Sequence, residues 1–186
     1  MATRGAPYVC AMRPHTVLIA AALLAGGICP GLAASHQRAD GGPTELGQFA
    51  DWTAARYQQN GQAVCYAFTR ARSPAQPASS SASDTAPLLT VTERPASRDE
   101  VAITANAPYP KGTTVVVQVG QTGLDFYTVS SDAFARNGKA AVAALRHGSQ
   151  AIARGPGATA PRQTDVFSLR GFAPALEAVL KACPVR

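Results

Sequence analysis

Four cysteines are the residues of this chain with the clearest capacity for covalent chemistry. Cys10 and Cys29 lie within the first 34 residues, whereas Cys65 and Cys183 lie near the two ends of the remaining sequence. The second pair lacks the C-x-x-C spacing of redox and metal sites, and no histidine stands near either member. In an oxidising compartment two remaining cysteines favour one disulfide, which we predict between Cys65 and Cys183; a reactive or metal-binding pair is the alternative.

Histidine, the usual general base, is scarce. After residue 34 the chain contains only His36 and His147. His36 lies in a polar, glycine-rich stretch, and His147 ends a predicted short helix, where the helix dipole favours a cation. Neither position indicates a Ser-His-acid triad, and no G-x-S-x-G motif is present. We predict no catalytic residues; the alternative is a periplasmic enzyme or enzyme inhibitor whose site is assembled from residues distant in sequence.

Other patterns that could carry chemistry have simpler interpretations. The closely spaced histidine, cysteine or carboxylate ligands of a zinc site are missing from the sequence. Gly155-Pro156-Gly157 lacks the lysine and following helix of a phosphate-binding loop and is read as a turn. Asp99 and Glu100 are neighbours in a predicted strand, where they would point to opposite faces. Trp52 is interpreted as a core residue. We predict no metal and no cofactor.

The first 34 residues have the pattern of a signal peptide. Arg4 and Arg13 precede an apolar run over residues 17–28, and small residues at 33 and 34 precede a polar segment. The run is about 12 residues long, against the roughly 20 that a membrane-spanning helix needs, which favours cleavage over an uncleaved anchor. Cleavage leaves the same mature chain whether translation starts at Met1 or Met12. We therefore predict a periplasmic, surface or secreted protein with no membrane span after cleavage.

The net charge of +6 comes from 17 Lys and Arg against 11 Asp and Glu. The basic residues are scattered along the chain rather than clustered, and no ladder of aromatic residues is interleaved with them. This distribution is typical of a solvated surface, so we predict no nucleic-acid partner; a loose attraction to acidic cell-surface polymers is the alternative. The expected partner is an envelope or host-surface protein that the sequence does not identify.

The elements that must position these residues are mostly strands. Residues 35–47 are predicted as a flexible lead-in. Residues 49–57 and 63–69 are predicted strands, joined by a hairpin at Asn60-Gly61. Residues 73–87, rich in Ala, Ser and Pro, are predicted to be a disordered insert. Alternating apolar and polar residues predict further strands at 88–92, 100–105, 113–119, 124–129, 150–153 and 166–169.

Two helices complete the predicted domain. Residues 139–146 change to a helical period, with Asn137-Gly138 as the start signal. Residues 172–183 place Leu176, Val179 and Cys183 on one apolar face. A disulfide to Cys65 would therefore hold this C-terminal helix against the sheet.

Several of these segments, in this order, resemble the invasion-associated locus B (IalB) family of exported α-proteobacterial proteins. The resemblance covers most of residues 46–184 and is carried by Phe49-Ala50-Asp51-Trp52-Thr53, Cys65-Tyr66-Ala67, Arg94-Pro95, Glu100-Val101, Tyr109-Pro110-Lys111-Gly112, residues 142–148, residues 164–172 and Ala182-Cys183.

The resemblance implies an Ig-like antiparallel β-sandwich domain over residues 48–184 and a non-enzymatic envelope protein that acts by binding a protein or surface. The family takes its name from a role in bacterial entry into host cells, and no catalytic residues carry over from it. Phe134 departs from the family pattern, which has a tryptophan there. The insert at 73–87 and the loop at 160–163 also depart from it, and these changes concern partner specificity more than fold.

Overall fold

The computed structural model describes residues 42–72, 85–156 and 163–185. Strands predominate over helices in these ranges. The elements are β1 (Thr44–Phe49), β2 (Trp52–Gln59), β3 (Gln62–Arg70), β4 (Leu88–Arg94), β5 (Ser97–Thr104), β6 (Thr114–Val119), β7 (Thr122–Val129), β8 (Asp132–Ala135), α1 (Gly138–His147), β9 (Gln150–Gly155), β10 (Gln163–Ser168) and α2 (Phe172–Ala182).

The strands form one ten-stranded antiparallel sheet in the order β1-β2-β3-β4-β5-β8-β7-β6-β9-β10. The predicted mainly β fold with a short helix and a C-terminal helix is confirmed. The Ig-like sandwich is not confirmed, because the described strands are hydrogen-bonded in one continuous order instead of in two stacked sheets. A sandwich and a strongly curved single sheet have the same alternation of apolar and polar residues, so the sequence pattern did not separate them.

The two edges of the sheet approach each other at one corner. Beyond the end of β3, the backbone of Arg72 exchanges hydrogen bonds of 2.8 and 3.3 Å with Val166 of β10. On the other side of β3, the Ala71 N–H donates to the Pro87 carbonyl at 2.7 Å, next to the start of β4. The contact with β10 is an isolated bridge, so the described sheet remains open.

The predicted strand over residues 49–57 is divided in two. Ala50, with a φ of 52°, and Asp51 turn the chain between β1 and β2. β1 also takes in residues 44–47, the end of the segment predicted as a flexible lead-in. The hairpin between β2 and β3 turns as predicted, with positive φ angles at Asn60 and Gly61. The predicted signal peptide and most of the predicted insert, residues 73–84, lie outside the described residues.

Both described helices pack on one face of the sheet, which we call the inner face. The side chain of Asn137 caps α1 by accepting from the Ala140 N–H at 3.0 Å, as the start signal predicted. α1 contacts β5, and α2 contacts β1 to β4. α2 begins after Gly171, whose φ of 93° and close approach to the Phe49 carbonyl leave no space for a side chain. Within the described ranges, no helix is long and apolar enough to cross a bilayer.

Candidate binding surface

The face of the sheet opposite the helices, the outer face, carries a row of aromatic and small side chains. Residues directly opposite each other on antiparallel strands project to the same face. The register therefore places five residues side by side across five adjacent strands. This aromatic row consists of Phe68 on β3, Thr90 on β4, Ala102 on β5, Phe134 on β8 and Tyr127 on β7.

The rings of the aromatic row group at its two ends, and two further rings join the group at the Phe68 end. Phe68 stacks on Tyr66 with ring centroids 5.9 Å apart, and Tyr66 meets Tyr57 edge-on at 5.9 Å. At the other end, Tyr127 stacks on Phe134 at 5.6 Å and is 41% exposed. The rings thus form two platforms, separated by the small side chains on β4 and β5.

A guanidinium group lies over the exposed platform. The Arg136 Cζ atom is 5.7 Å from the centroid of the Tyr127 ring, within the range of a cation–π interaction. This contact places a positive charge at the β7 end of the aromatic row. It also leaves the ring 41% exposed, so the row presents both an aromatic surface and a cation to solvent.

A cluster of charged and polar side chains lies at the corner where the sheet edges approach. This Asp51 corner consists of Asp51, Arg72, Ser168 and Arg170. One carboxylate oxygen of Asp51 accepts from Arg72 at 2.9 Å and from Arg170 at 3.3 Å. The other accepts from the Ser168 hydroxyl at 2.6 Å. These contacts join the start of β2 to the end of β10 and to the loop before α2.

Hydrogen bonds from the backbone and from Trp52 reinforce the Asp51 corner. The Asp51 N–H donates to the Arg170 carbonyl at 3.2 Å, and the Thr69 hydroxyl donates to the Asp51 carbonyl at 2.7 Å. The Trp52 indole N–H donates to the Ser168 carbonyl at 2.8 Å. Partial burial opposes ionisation of Asp51, but the bonds from Ser168 and Arg170 and the charge of Arg72 outweigh it and lower its pKa.

Two shallow clefts adjoin the Asp51 corner and share Asp51 and Arg72 as a common wall. The first, of about 410 Å³, is lined by Phe68, Thr53 and Arg70 besides the shared pair, and we call it the Phe68 cleft. The second, of about 490 Å³, is lined by Ser149 and Arg170 among others. Because Phe68 belongs to both the first cleft and the aromatic row, the corner and the row form one continuous surface.

His147 lies outside the Asp51 corner. It ends α1 and lines a cleft of about 430 Å³ with small and apolar residues, and this cleft shares Gly148 with the second cleft at the corner. Ser168 and Asp51 are brought together, but the serine hydroxyl donates to the carboxylate rather than to a histidine. The arrangement fixes the corner and does not resemble a nucleophile paired with a general base.

The inner face holds a second connection, which we call the helix clamp: Cys65, Glu93, Arg98 and Cys183. The sulfur atoms of Cys65 and Cys183 lie at disulfide-bonding distance, with Cα atoms 5.9 Å apart. Both cysteines are almost fully buried. This placement joins β3 to the end of α2, the two elements that the sequence predicted.

Beside the two cysteines, the fully buried Glu93 forms an ion pair with Arg98, whose side chain is 24% exposed. Glu93 is opposite Cys65 in the β3–β4 register, and its side chain is 0% exposed. Arg98 Nε lies 2.8 Å from a Glu93 oxygen, and the same guanidinium donates to the Cys183 carbonyl at 2.6 Å. Burial raises the pKa of Glu93, although the charge of Arg98 opposes the shift. Arg98 thus connects the sheet to the C-terminal end of α2.

Tyr109 is the remaining strongly perturbed group. Burial, assisted by the charges of Asp165 and Asp132, raises the pKa of Tyr109 to about 12. Burial also raises the pKa of Asp165, against a hydrogen bond from Gln163 at 3.0 Å.

The structure assigns positions to the other residues considered in the sequence. Trp52 is 1% exposed and packs on Phe172 with ring centroids 4.7 Å apart, which confirms the core interpretation. Glu100 pairs with Arg94 at 3.2 Å on the outer face. The Asp99 N–H donates to Glu93 at 3.3 Å. No group of three potential metal ligands occurs within residues 42–72, 85–156 and 163–185.

Sequence reasoning missed Glu93 and Arg98 of the helix clamp, and it missed the aromatic row and the Asp51 corner as groups. Leu89, Val91 and Glu93 alternate along β4 and are all buried, so extending the predicted alternation by one step would have placed Glu93 inside. The aromatic row and the Asp51 corner had no comparable signal. Their members are brought together by strand order and by contacts across 117 residues between Asp51 and Ser168.

The chain matches no protein-family model and no curated protein sequence. Its fold is similar to a solved structure, that of invasion associated protein B from Bartonella henselae, with a TM-score of 0.51 and 17% sequence identity. The similarity covers 75% of this chain and 96% of that protein. At this identity the likeness concerns the fold, and it supports a distant IalB-like fold for this chain.

Proposed function

We propose that this chain is an exported, non-enzymatic envelope protein of the invasion-associated locus B type, which acts by binding a protein or a surface in the periplasm or outside the cell. The observation that carries the proposal is the Cys65–Cys183 pair at disulfide-bonding distance, in a chain whose first 34 residues have the pattern of a signal peptide. The resemblance of the sequence and the likeness of the fold to invasion associated protein B add support.

The distribution of interactions supports a binding role. The ion pair and the cysteines that hold α2 lie on the inner face, whereas the aromatic row and the two clefts lie where a partner can reach them. The one serine that touches a carboxylate in the Asp51 corner is committed to a hydrogen bond that fixes the fold. This supports a binding protein over the enzyme alternative.

Export is tested by fractionating cells that produce the full chain with a C-terminal epitope tag. We expect a protein in the envelope or medium whose mass corresponds to cleavage after residue 33 or 34. Replacing Leu23 and Leu24 by arginine interrupts the apolar run, so this variant should remain unprocessed in the cytoplasm. An unmodified chain that stays in the cytoplasm would contradict the proposal.

Binding is tested by incubating the labelled processed protein with envelope preparations and with cultured host cells. Saturable binding to either surface is the expected result, and unlabelled protein should compete for it. Binding that never saturates on both surfaces, or turnover of a substrate by the processed protein, would contradict a non-enzymatic binding role.

A further inference from the structure

We propose that the Cys65–Cys183 disulfide exchanges with external dithiols while the protein stays folded: the last turn of α2 opens, the dithiol attacks the sulfur of Cys183, and Arg98 is the residue that holds the turn closed. This inference rests on the same disulfide as the proposed function and goes beyond it by assigning the route through which the bridge forms and breaks. It depends on the burial of the two sulfurs, on the element that carries each cysteine and on the contacts of Arg98.

Both cysteines are buried, so a thiol in solution does not reach either sulfur while α2 is fully in place. Cys65 is 0% exposed and Cys183 is 1% exposed. Exchange begins when a thiolate attacks one of the two sulfurs, and its rate depends on access to that sulfur. Part of the molecule must therefore open before the disulfide can exchange.

The two cysteines differ in how much structure must open to expose them. Cys65 lies within β3 and is paired with β2 on one side and with β4 on the other, so exposing it requires strands to separate. Cys183 directly follows the last residue of α2, and Val185 beyond it is 70% exposed. The end of a helix opens at a lower free-energy cost than a strand paired on both sides. Cys183 is therefore the sulfur that an external thiol reaches first.

The burial of residues along α2 allows its last turn to open alone. Phe172, Leu176 and Val179 are each 1% exposed or less, and they hold the preceding turns of the helix against the sheet. After Val179 the helix is less buried: Lys181 is exposed, and its two neighbours in the helix are partly buried. Opening of the last turn thus leaves the apolar anchors of α2 in place.

Arg98 makes the polar contact that holds this last turn closed. Its guanidinium donates to the Cys183 carbonyl at 2.6 Å, and the carbonyls at a helix end need such partners from outside the helix. Arg98 Nε lies 2.8 Å from an oxygen of Glu93, which is fully buried on β4 and also accepts from the Asp99 N–H at 3.3 Å. Arg98 therefore ties the turn that opens to a strand that stays in the sheet.

The exchange consists of two thiol–disulfide steps. In the first, one thiolate of the dithiol attacks the Cys183 sulfur, the bond between the two protein sulfurs breaks, and the bonding electrons leave with Cys65. In the second, the other thiol of the dithiol attacks the mixed disulfide and releases Cys183 as a thiolate. The protein gains two electrons, the dithiol becomes a disulfide, and its two protons end on Cys65 and Cys183. An external disulfide forms the bridge by the reverse steps.

The test is the reduction of the folded, oxidised full chain by dithiothreitol, stopped by alkylation and followed by peptide mapping. Mapping reads Cys65 and Cys183 separately from Cys10 and Cys29. We expect the rate to rise only weakly with urea below the unfolding transition, because a local opening exposes little surface. With the monothiol glutathione in place of the dithiol, the mixed disulfide should be found on Cys183.

Arg98→Met should speed the reduction by dithiothreitol about tenfold or more, because the last turn of α2 loses a hydrogen bond from a charged donor. Arg94→Met is the matched control: Arg94 pairs with Glu100 on the outer face, so this variant should be reduced at the rate of the unmodified protein. Circular dichroism establishes that each variant is folded.

Val117→Ala separates a local effect from a loss of global stability. Val117 is 0% exposed on β6, whereas α2 packs on β1 to β4. Its truncation lowers the free energy of global unfolding but should leave the rate of reduction unchanged. Reduction that speeds up in this variant as it does in Arg98→Met would show that the whole molecule must unfold, and would overturn the inference.

Three further results decide the inference. Equal rates for Arg98→Met and Arg94→Met, or a mixed disulfide found mainly on Cys65, would overturn it and leave the proposed function intact. Free thiols at both cysteines of the protein as isolated would overturn it together with the disulfide on which the proposed function rests. Export and cell binding are measured separately, so the two proposals can fail independently.

Discussion

The two faces of β3 and β4 have different roles, and residues that are adjacent in sequence lie on opposite faces. Cys65 and Glu93 project to the inner face and enter the helix clamp, whereas Tyr66 and Phe68 project outward with the other rings. On the inner face the cysteine pair and the Glu93–Arg98 ion pair lie beneath a helix. The outer face places rings and arginines in reach of solvent. The comparison teaches that stability and recognition can be separated residue by residue along one strand.

The carboxylates of the two regions differ in the direction in which their pKa is shifted. Glu93 and Asp51 each accept from arginine, yet burial raises the pKa of Glu93 while hydrogen bonds and cations lower that of Asp51. The difference follows from exposure: the Glu93 side chain is 0% exposed and that of Asp51 is 14% exposed. At Glu93 the loss of solvent has the larger effect on the pKa, whereas at Asp51 the polar partners have the larger effect.

Removal of both clamp cysteines should have the largest effect on stability. The cysteines are separated by 118 residues in sequence. Releasing so long a loop in the Cys65→Ala/Cys183→Ala protein should lower the free energy of unfolding by about 4 kcal/mol. Urea unfolding followed by circular dichroism measures this. The difference in stability should be absent when the unmodified protein and the variant are compared under full reduction. A variant as stable as the oxidised protein would contradict a stabilising role for the cysteine pair on the inner face.

Replacement of Arg98 should have the next largest effect. Arg98→Met leaves Glu93 buried without its cation and should lower the free energy of unfolding by about 3 kcal/mol. Arg94→Met is the matched control, since the Arg94–Glu100 pair on the outer face is 30% and 40% exposed. The control should change stability by about 0.5 kcal/mol or less. Equal losses of stability in the two variants would show that the Glu93–Arg98 pair on the inner face contributes no more than the exposed Arg94–Glu100 pair.

Asp51→Asn should have a smaller effect that depends on pH. The variant loses hydrogen bonds to a charged acceptor and should be less stable by about 1.5 kcal/mol at pH 6. Because the pKa of Asp51 is lowered from its ordinary value of 3.8, its contribution is present above that pH and is lost as the pH falls through the folded-state pKa. Urea unfolding should show a smaller difference in unfolding free energy between the two proteins at pH 3 than at pH 6. A constant gap would contradict the assignment.

Glu93→Gln should give the smallest change and the opposite pH trend. A raised pKa means that Glu93 contributes stability fully below its ordinary value of 4.5 and that this contribution is lost as the pH rises through the folded-state pKa. The free energy of unfolding of the unmodified protein, relative to that of the variant, should therefore be larger at pH 4 than at pH 7.5. Unfolding curves at the two values measure this, and the reverse order would rule out burial as the prevailing cause.

The sequence predicted the parts of the fold that depend on local pattern. Alternation located most strands, the helical period located α1 and α2, and the two cysteines left after the predicted leader indicated the pair that the structure places together. It did not predict β8, which is four residues long, or the position of β8 between β5 and β7. Strand order depends on contacts between distant segments, and local periodicity does not contain that information.

The same limit applies to the candidate site. Phe68 looked like an ordinary strand residue and Phe134 lay outside every predicted strand, so only the register aligns them in one row. Trp52 was correctly assigned to the core, but its bond to the Ser168 carbonyl spans 116 residues of sequence. Where a residue's role depends on its neighbours across the sheet, the sequence indicates the residue type and the structure supplies the function.

Peptide mapping by mass spectrometry of protein isolated from the cell envelope without reduction tests the central claim most directly. The account predicts an amino terminus at residue 34 or 35 and a single linked pair of peptides that contains Cys65 and Cys183. Two free thiols at these positions, or a leader still attached to a cytoplasmic protein, would contradict it.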